Sequence, residues 1–263
     1  MYGYGCFISA NGKPPSGVAI DADAQSFFTA TGITDLTQKN AVNQLVLDLK
    51  SANIWTKMKA LYPVVGGNAT AHSYNLKNTA QYQLNFSSGW THSSTGMQGN
   101  GTNSFASLGY YASEFMATGK GHMSIYSRST GSAFETMYEM GAYGGSGYTT
   151  LALRLSNTFY GNIKSTTNNS IANTNAQGLF TASRLDSTNV LLSKNNTITT
   201  TTGSEAATNG NIVIGAVGVV GSQQFYSNKQ FSLASIGDSL TSTDISNYYT
   251  IVQNFQTSLS RQV

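Results

Sequence analysis

The sequence has few charged residues. Asp, Glu, Lys and Arg make up 10% of its 263 positions, whereas globular proteins usually have about a quarter. Thr, Ser, Asn and Gly take their place, which predicts a surface that is polar without being ionic. The net charge of +3 comes from 14 basic and 11 acidic residues that form no basic cluster. Nucleic-acid-binding domains normally carry a basic stripe, so we expect no nucleic-acid partner.

Cysteine and long apolar runs are scarce as well. Cys6 is the single cysteine, which excludes an intrachain disulfide, and we interpret it as a small buried side chain or a free thiol. No run of about 18 apolar residues occurs, so we expect no membrane-spanning helix. The segment from Met1 to Cys6 lacks the basic and apolar regions of a secretory signal. The hydrophobic content of 40% is enough for a folded core.

The first 73 residues are predicted to form an N-terminal arm and a helical attachment segment. Residues 1–30 are dominated by Gly, Pro and small side chains, and their lack of periodicity predicts an arm that lies on the rest of the protein or on a partner.

Residues 37–62 have apolar side chains at spacings of three and four, which predicts helix. Asp35 or Thr37 is the expected N-cap. We expect Ala52-Asn53 to divide the run into two helices and Pro63 to end it.

Residues 74–263 have the pattern of a β-sandwich followed by a helix. Short segments alternate between apolar and polar residues and are separated by Gly, Asn and Ser clusters, which favours a sandwich or barrel. The predicted strands are Tyr82–Phe86, His122–Arg128, Phe134–Met140, Leu151–Leu155, Gly178–Arg184, Val190–Asn195 and Ile212–Ala216. Asn195-Asn196 is a predicted hairpin turn.

A final helix is predicted from its start signal. Thr241 as N-cap and Asp244 three residues later have the form of a capping box. The apolar face that follows begins at Ile245 and Tyr248, and the helix is expected to end near Arg261. We expect it to cover one sheet or one end of the sandwich.

Two segments resemble known proteins. The tail FSLASIGDSLTSTDISNYYTIVQNFQTSLSRQV is similar to the end of laminin-G-like, concanavalin A-like domains. The segment that starts ITDLTQKNAVNQLVLDLK and the later FSSGWTHSSTGMQGNGTNSFA resemble bacteriophage virion proteins that join such helices to that sandwich. The resemblance implies an all-β, two-sheet jelly-roll sandwich with an N-terminal arm, a preceding helical segment and one C-terminal helix. It also implies a place on the outside of a virus particle.

Enzymatic chemistry has one candidate in the sequence. Glycoside hydrolysis needs two carboxyl groups that face one cleft, and Glu135 and Glu139 have the spacing of sandwich glucanases. Met137 stands where those enzymes carry a further carboxylate. We therefore predict that the protein is not an enzyme, and keep a glycan-cleaving depolymerase as an alternative.

Metal and cofactor motifs are not found in the sequence. The histidines at 72, 92 and 122 belong to no ligand motif. Asp21 and Asp23 are close together but lie in the predicted arm, so no calcium site is assigned. We expect no cofactor.

Glycan binding has better candidates. Sugar recognition combines aromatic faces with planar polar groups, and three Gly/Ser-rich loops offer both. The candidate residues are Trp90, His92, Asn100, Tyr110, Tyr143 and Tyr148. Trp90 could instead be a core residue, and the Tyr143–Tyr148 loop could instead be a subunit interface.

The sequence thus predicts a phage virion protein on the particle surface, at the head or tail, that presents a glycan-binding domain. The expected partners are other virion proteins, bound through the arm and helices, copies of itself, and a host surface glycan. Many copies would let weak sugar contacts add up. A cellular carbohydrate-binding module is a further alternative.

Overall fold

A computed structural model describes residues 19–116, 118–132 and 134–263. The described chain has three layers: two β-sheets packed face to face, and helices that cover the outer side of one sheet. The α-helices are α1 (Ala22–Thr31), α2 (Leu36–Ser51), α3 (Ala69–Ser73), α4 (Ala112–Phe115) and α5 (Ser242–Ser258), with a 3-10 turn at Trp55–Lys57. None of these helices is both long enough and apolar enough to cross a membrane.

The strands are short, and several of them are joined by two-residue turns. In chain order they are β1 (Met58–Tyr62), β2 (Asn85–Phe86), β3 (Thr91–Ser93), β4 (Gly96–Gln98), β5 (Ala106–Tyr111), β6 (Gly121–Ser127), β7 (Met140–Gly144), β8 (Gly147–Leu155), β9 (Thr158–Ser165), β10 (Ser170–Ala172), β11 (Gly178–Arg184), β12 (Asn189–Lys194), β13 (Thr197–Thr202), β14 (Asn211–Ile214), β15 (Val217–Val219), β16 (Ser222–Gln224) and β17 (Gln230–Gly237).

The strands form two sheets. Sheet A has the order β13-β12-β11-β6-β17-β4-β3, and β1 also pairs with β17. Sheet B has the order β10-β9-β8-β7-β14-β5-β2. In addition, β15 pairs in parallel with β7 and antiparallel with β16. The other pairings are antiparallel. The predicted all-β sandwich is confirmed.

Two apolar cores hold the layers together. The first lies between the sheets, where Phe180 of sheet A meets Phe159 of sheet B edge-on at 5.0 Å. The second lies between sheet A and the helices, where Leu233 of β17 packs with Leu45 of α2 and Tyr248 of α5. The next residue, Ala234, faces the first core, so successive residues of β17 face opposite cores. This is why the strand is buried along nearly its whole length.

The predicted C-terminal helix is confirmed with its capping box. The Thr241 Oγ1 accepts a hydrogen bond from the Asp244 backbone N–H at 3.2 Å, and an Asp244 carboxylate oxygen accepts one from the Thr241 N–H at 2.7 Å. The helix lies against sheet A and α2. The predicted turn at Asn195-Asn196 is also present, because both residues have positive φ and join β12 to β13.

The front of the chain differs from the prediction in two places. Part of the predicted arm is helix α1, which Asp21 caps by accepting a hydrogen bond from the Asp23 N–H. The predicted second helix is wrong: the predicted break at Asn53 is present, with φ of 58°, but Met58–Tyr62 then form β1. Pairing with β17 satisfies that backbone, and the side chains of Ala60 and Leu61 face different cores. Residues 1–18, including Cys6, lie outside the described residues.

The predicted strand at Phe134–Met140 is also wrong. The segment is irregular up to Glu139, and β7 begins at Met140. Tyr82–Phe86 forms a strand only at Asn85–Phe86. The other predicted strands match β6, β8, β11, β12 and β14 to within a few residues.

Candidate functional site

A groove of about 680 Å³ lies at one end of sheet B. We call it the amide groove. Its lining residues come from the end of β5 and the start of α4, from the segment entering β14, and from the β15–β16 hairpin: Tyr111, Ser113, Asn209, Asn211, Val219, Val220, Gly221, Ser222 and Gln223. Antiparallel pairing of β5 with β14 places Tyr111 opposite Asn211, which brings together residues that are about a hundred positions apart.

The groove combines an aromatic side chain with amides. Tyr111 is 51% exposed and Val220 is 66% exposed, so both present apolar surface to solvent. Within the described chain, no protein group hydrogen-bonds the side-chain amides of Asn209, Asn211 and Gln223. An aromatic ring and unpaired planar amides are the groups that recognise the apolar face and the hydroxyls of a sugar.

The amide groove has no fixed charge. Its lining, taken from the described residues, includes no Asp, Glu, Lys, Arg or His. The nearby Glu114 already has a partner in the protein, because its carboxylate accepts a hydrogen bond from the Tyr111 N–H at 2.6 Å. This contact holds the backbone at the start of α4 and so positions Tyr111. A ligand that suits this groove is polar and uncharged.

Of the predicted residues, Tyr143 and Tyr148 lie next to the groove. They face each other across the β7–β8 hairpin and stack with ring centroids 4.8 Å apart and an interplanar angle of 18°. Tyr143 is 39% exposed. Val219, which lines the groove, pairs with Tyr143 in the sheet. The stacked tyrosines therefore extend the groove with a second aromatic surface.

Tyr110 and Tyr111 point in opposite directions, as neighbours in a strand do. Tyr110 is half-buried and packs edge-on against Tyr82 at 4.6 Å and Phe115 at 6.1 Å. The exposed member of the pair is Tyr111. The adjacent tyrosines were visible in the sequence, but which of them faces solvent depends on the register of β5 in sheet B.

Trp90, His92 and Asn100 lie elsewhere, and their contacts are within the protein. Trp90 packs edge-on against Phe86 and so closely over Gly215 that a Cβ there would be 2.8 Å from the indole. The Nδ1 of His92 is 2.9 Å from the Nδ1 of His72.

Asn100 organises its own loop. Its side-chain oxygen accepts hydrogen bonds from the backbone N–H groups of Thr102, Asn103 and Ser104 at 2.9 to 3.2 Å. Its amide nitrogen donates to Asn103 at 2.7 Å. The side chain thus has little hydrogen-bonding capacity left for a ligand.

Glu135 and Glu139 do not form a glucanase-like strand pair. Both contact the Lys229 ammonium, and the side chain of Glu139 is 1% exposed. Burial raises the pKa of Glu139, although Lys229 and hydrogen bonds from Leu153 and Ser227 act in the opposite direction. A substrate in solution has no access to this carboxyl group.

Within residues 19–116, 118–132 and 134–263, no group of three or more His, Cys, Asp or Glu is placed to hold a metal ion. Asp21 and Asp23 both bind Lys50, at 2.7 and 2.6 Å. The two carboxylates thus share one ammonium group as their partner.

The fold has counterparts among solved structures. A Trypanosoma rangeli sialidase mutant with trans-sialidase activity matches 81% of this chain and 39% of its own, with 9% identity and a TM-score of 0.58. The binding domain of botulinum neurotoxin serotype D matches 75% of this chain and 52% of its own, with 9% identity and a TM-score of 0.52. The Trypanosoma rangeli sialidase in complex with sialic acid gives 9% identity and a TM-score of 0.51. The sequence matches no protein-family profile and no curated protein.

These likenesses establish the sandwich fold and correct one prediction. The chain spans between about two fifths and half of the matched chains. The prediction that the protein is not an enzyme is wrong as an inference from this fold, because matched structures include sialidases, one with trans-sialidase activity. The named structures are not bacteriophage proteins, so they lend the virion prediction no support. The chain is a β-sandwich with the fold seen in these sialidase structures and in the botulinum neurotoxin binding domain.

Proposed function

We propose that the protein is a carbohydrate-binding β-sandwich domain and that its amide groove binds an uncharged glycan. The observation that carries this proposal is the groove's composition: the exposed ring of Tyr111 faces solvent beside the amides of Asn209 and Asn211. The volume of about 680 Å³ is in the range of small-ligand sites. The Tyr143–Tyr148 pair next to it offers a stacking surface for a second sugar ring.

The lack of a fixed charge determines the expected ligand class. A sialylated glycan carries a carboxylate, and no Arg or Lys lines the described groove to pair with it. A neutral oligosaccharide offers hydroxyl groups that both donate to and accept from amide side chains. We therefore expect neutral glycans to bind more tightly than their sialylated counterparts.

The test is a glycan array on the full chain, followed by calorimetric titration of the best neutral oligosaccharide. Tyr111→Ala should weaken binding about five- to thirtyfold, in line with the loss of an aromatic contact worth about 1 to 2 kcal/mol. Asn209→Asp, which keeps the shape but replaces amide donors with charge, should also weaken it. Phe134→Ala is the matched control, because Phe134 is a highly exposed aromatic residue that does not line the groove.

Two results would contradict the proposal. One is unchanged affinity in both Tyr111→Ala and Asn209→Asp. The other is an array on which no glycan, or only sialylated glycans, binds the native chain.

The proposed biological setting rests on the sequence resemblance. We propose a surface protein of a phage particle, at the head or tail, whose N-terminal segment joins it to other virion proteins and to further copies of itself. Repeated copies would strengthen weak binding to a host glycan. Electron microscopy of purified particles labelled with an antibody to this chain tests the setting, and unlabelled particles would count against it.

A further inference from the structure

Three ionisable side chains meet where the two sheets come together. Glu139 directly precedes β7 of sheet B, and Lys229 directly precedes β17 of sheet A. The Lys229 Nζ is 3.0 Å from the Glu139 Oε1 and also contacts the Glu135 carboxylate. The Lys229 and Glu139 side chains are 2% and 1% exposed, whereas Glu135 is 14% exposed and therefore in contact with solvent.

Besides the Lys229 ammonium, two hydrogen-bond donors hold the carboxyl group of Glu139. The Leu153 backbone N–H donates to Oε2 at 2.7 Å, and the Ser227 hydroxyl donates to Oε1 at 3.2 Å. Donors of this kind stabilise negative charge that develops on an acyl oxygen under nucleophilic attack. An amine, an acyl group with donors and a second carboxylate thus occupy one desolvated site.

We propose that Lys229 and Glu139 form an intramolecular isopeptide bond that links sheet A to sheet B covalently, with Glu135 as the proton acceptor. The Lys229 ammonium first gives a proton to the Glu135 carboxylate. The neutral Nζ then attacks Cδ of protonated Glu139, and the negative charge goes to Oε2 beside the Leu153 N–H. Oε1 leaves as water with the proton that Glu135 returns, and Glu135 accepts the second proton from the nitrogen.

The step is balanced without a cofactor or a redox partner. One N–C bond forms, one C–O bond breaks, and one water molecule is released. Glu135 ends protonated and, being partly exposed, returns its proton to solvent. Contact between amine and carboxyl raises their effective concentration by orders of magnitude over that in solution, which favours an amide that forms slowly or not at all between free groups.

The electrostatics of the cluster favour the amide, which is itself uncharged. Two ionised carboxylates and one ammonium leave a net negative charge in a buried site, which is costly. Burial raises the pKa of Glu139 and so favours the protonated acid that the reaction needs. The two carboxylates outweigh burial and raise the pKa of Lys229, so deprotonation by Glu135 has to come first. Amide formation replaces the buried ammonium and the buried carboxyl group with an uncharged amide, and leaves the one negative charge on Glu135, which is in contact with solvent.

Gly131 covers the cluster, and the space between this glycine and the side chains of the cluster is too small for a larger residue. A Cβ at Gly131 would be 3.0 Å from both a Glu135 carboxylate oxygen and the Lys229 Cε. The Gly131 carbonyl accepts a hydrogen bond from Arg154 at 2.9 Å, which holds this loop in place. The close cover excludes water from the amine, as a condensation that releases water requires.

Intact-mass spectrometry of the purified, denatured full chain tests the proposal. The expected mass is lower than that of the sequence by one water molecule, and fragmentation should place the loss in a peptide pair containing Lys229 and Glu139. Lys229→Met should restore the full mass. Lys194→Met, which alters a lysine that bonds to Asn173 instead, should keep the loss.

The role of Glu135 has its own readout. In Glu135→Gln the bond should form much more slowly, so that freshly purified protein has mostly the full mass and loses water on incubation. Complete conversion at the wild-type rate would overturn the assignment of Glu135. Wild-type protein that keeps its full mass after prolonged incubation in the folded state, or a water loss mapped elsewhere, would overturn the isopeptide bond itself. The wild-type measurement decides this even where a variant fails to fold.

Discussion

Acidification is expected to destabilise this protein through two buried histidines. His122 is fully buried, with its ring nitrogens 2.6 Å from the Asp238 carbonyl oxygen and 3.2 Å from the Ser235 hydroxyl. Burial lowers its pKa to about 4. His72 is buried against His92, and burial lowers its pKa to about 3. An unfolded chain would have ordinary histidines of pKa near 6.5.

The direction and the size of the change in the free energy of unfolding follow from proton linkage. The unfolded state takes up protons at a higher pH than the folded state, so stability is fully present above about pH 7 and is lost as pH falls below 6.5. Between pH 7.5 and 4.5 each histidine should reduce the free energy of unfolding by about 2.5 kcal/mol, or about 5 kcal/mol together, from pKa values of about 3 and 4. Domains of this kind are typically stable by about 5 to 15 kcal/mol.

The assay is urea denaturation at pH 7.5 and pH 4.5, compared between wild type and His122→Gln. The variant cannot take up the proton, so its loss of stability on acidification should be smaller than that of wild type by about 2.5 kcal/mol. The comparison between two pH values cancels any change that is the same at both. Ser235→Ala is the matched control, because it removes a hydrogen-bond partner of His122 but keeps the titrating ring.

Other titrating groups contribute to the pH dependence of wild-type stability, but they do not contribute to the difference between wild type and His122→Gln. Asp244 and Asp21 have lowered pKa values and act in the same direction as the histidines. A His122→Gln variant that loses as much stability as wild type between the two pH values would refute the reasoning. So would a Ser235→Ala variant that loses as little as His122→Gln.

Three further predictions concern the free energy of unfolding, measured in urea at pH 7.5. Thr241→Ala removes the N-cap acceptor of α5 and should cost about 1 kcal/mol, while Thr243→Ala, exposed in the same first turn, should cost less than about 0.5 kcal/mol. Phe180→Ala leaves a cavity beside Phe159 and should cost about 3 to 5 kcal/mol; a smaller loss would mean that the sheets close over the gap. Gly141→Ala should cost at least about 2 kcal/mol, because φ is 139° and the new Cβ would lie 2.2 Å from the Thr149 carbonyl oxygen; a stable variant would contradict this backbone.

The local features of the chain were predictable because they depend on short-range chemistry. The segment Gly178–Arg184 alternates between apolar and polar residues, and it forms strand β11. Thr241 and Asp244 cap a helix through contacts within one turn. Asn195-Asn196 adopts positive φ in the turn it joins. The sequence pattern therefore sufficed for the fold class, the closing helix and most of the strands.

In two segments the secondary structure was decided by contacts with distant parts of the chain, because the sequence pattern alone was ambiguous. Met58–Tyr62 has apolar residues at spacings that suit a helix, but β17 offers an open edge whose hydrogen bonds this segment completes. Phe134–Glu139 alternates like a strand, yet its two glutamates bind one lysine from a distant part of the chain and the backbone stays irregular. Neither outcome depends on nearby residues alone.

The candidate site likewise depends partly on local sequence and partly on contacts between distant residues. The sequence by itself drew attention to the Tyr143–Tyr148 loop and to Tyr110, because aromatic residues beside glycine have a local signature. Only the tertiary structure decided that Tyr111 faces solvent, that Asn209 lies beside it and that Lys229 meets Glu139. Composition and periodicity report on neighbours along the chain, whereas a binding groove and a buried ion cluster are set by sheet register between distant strands.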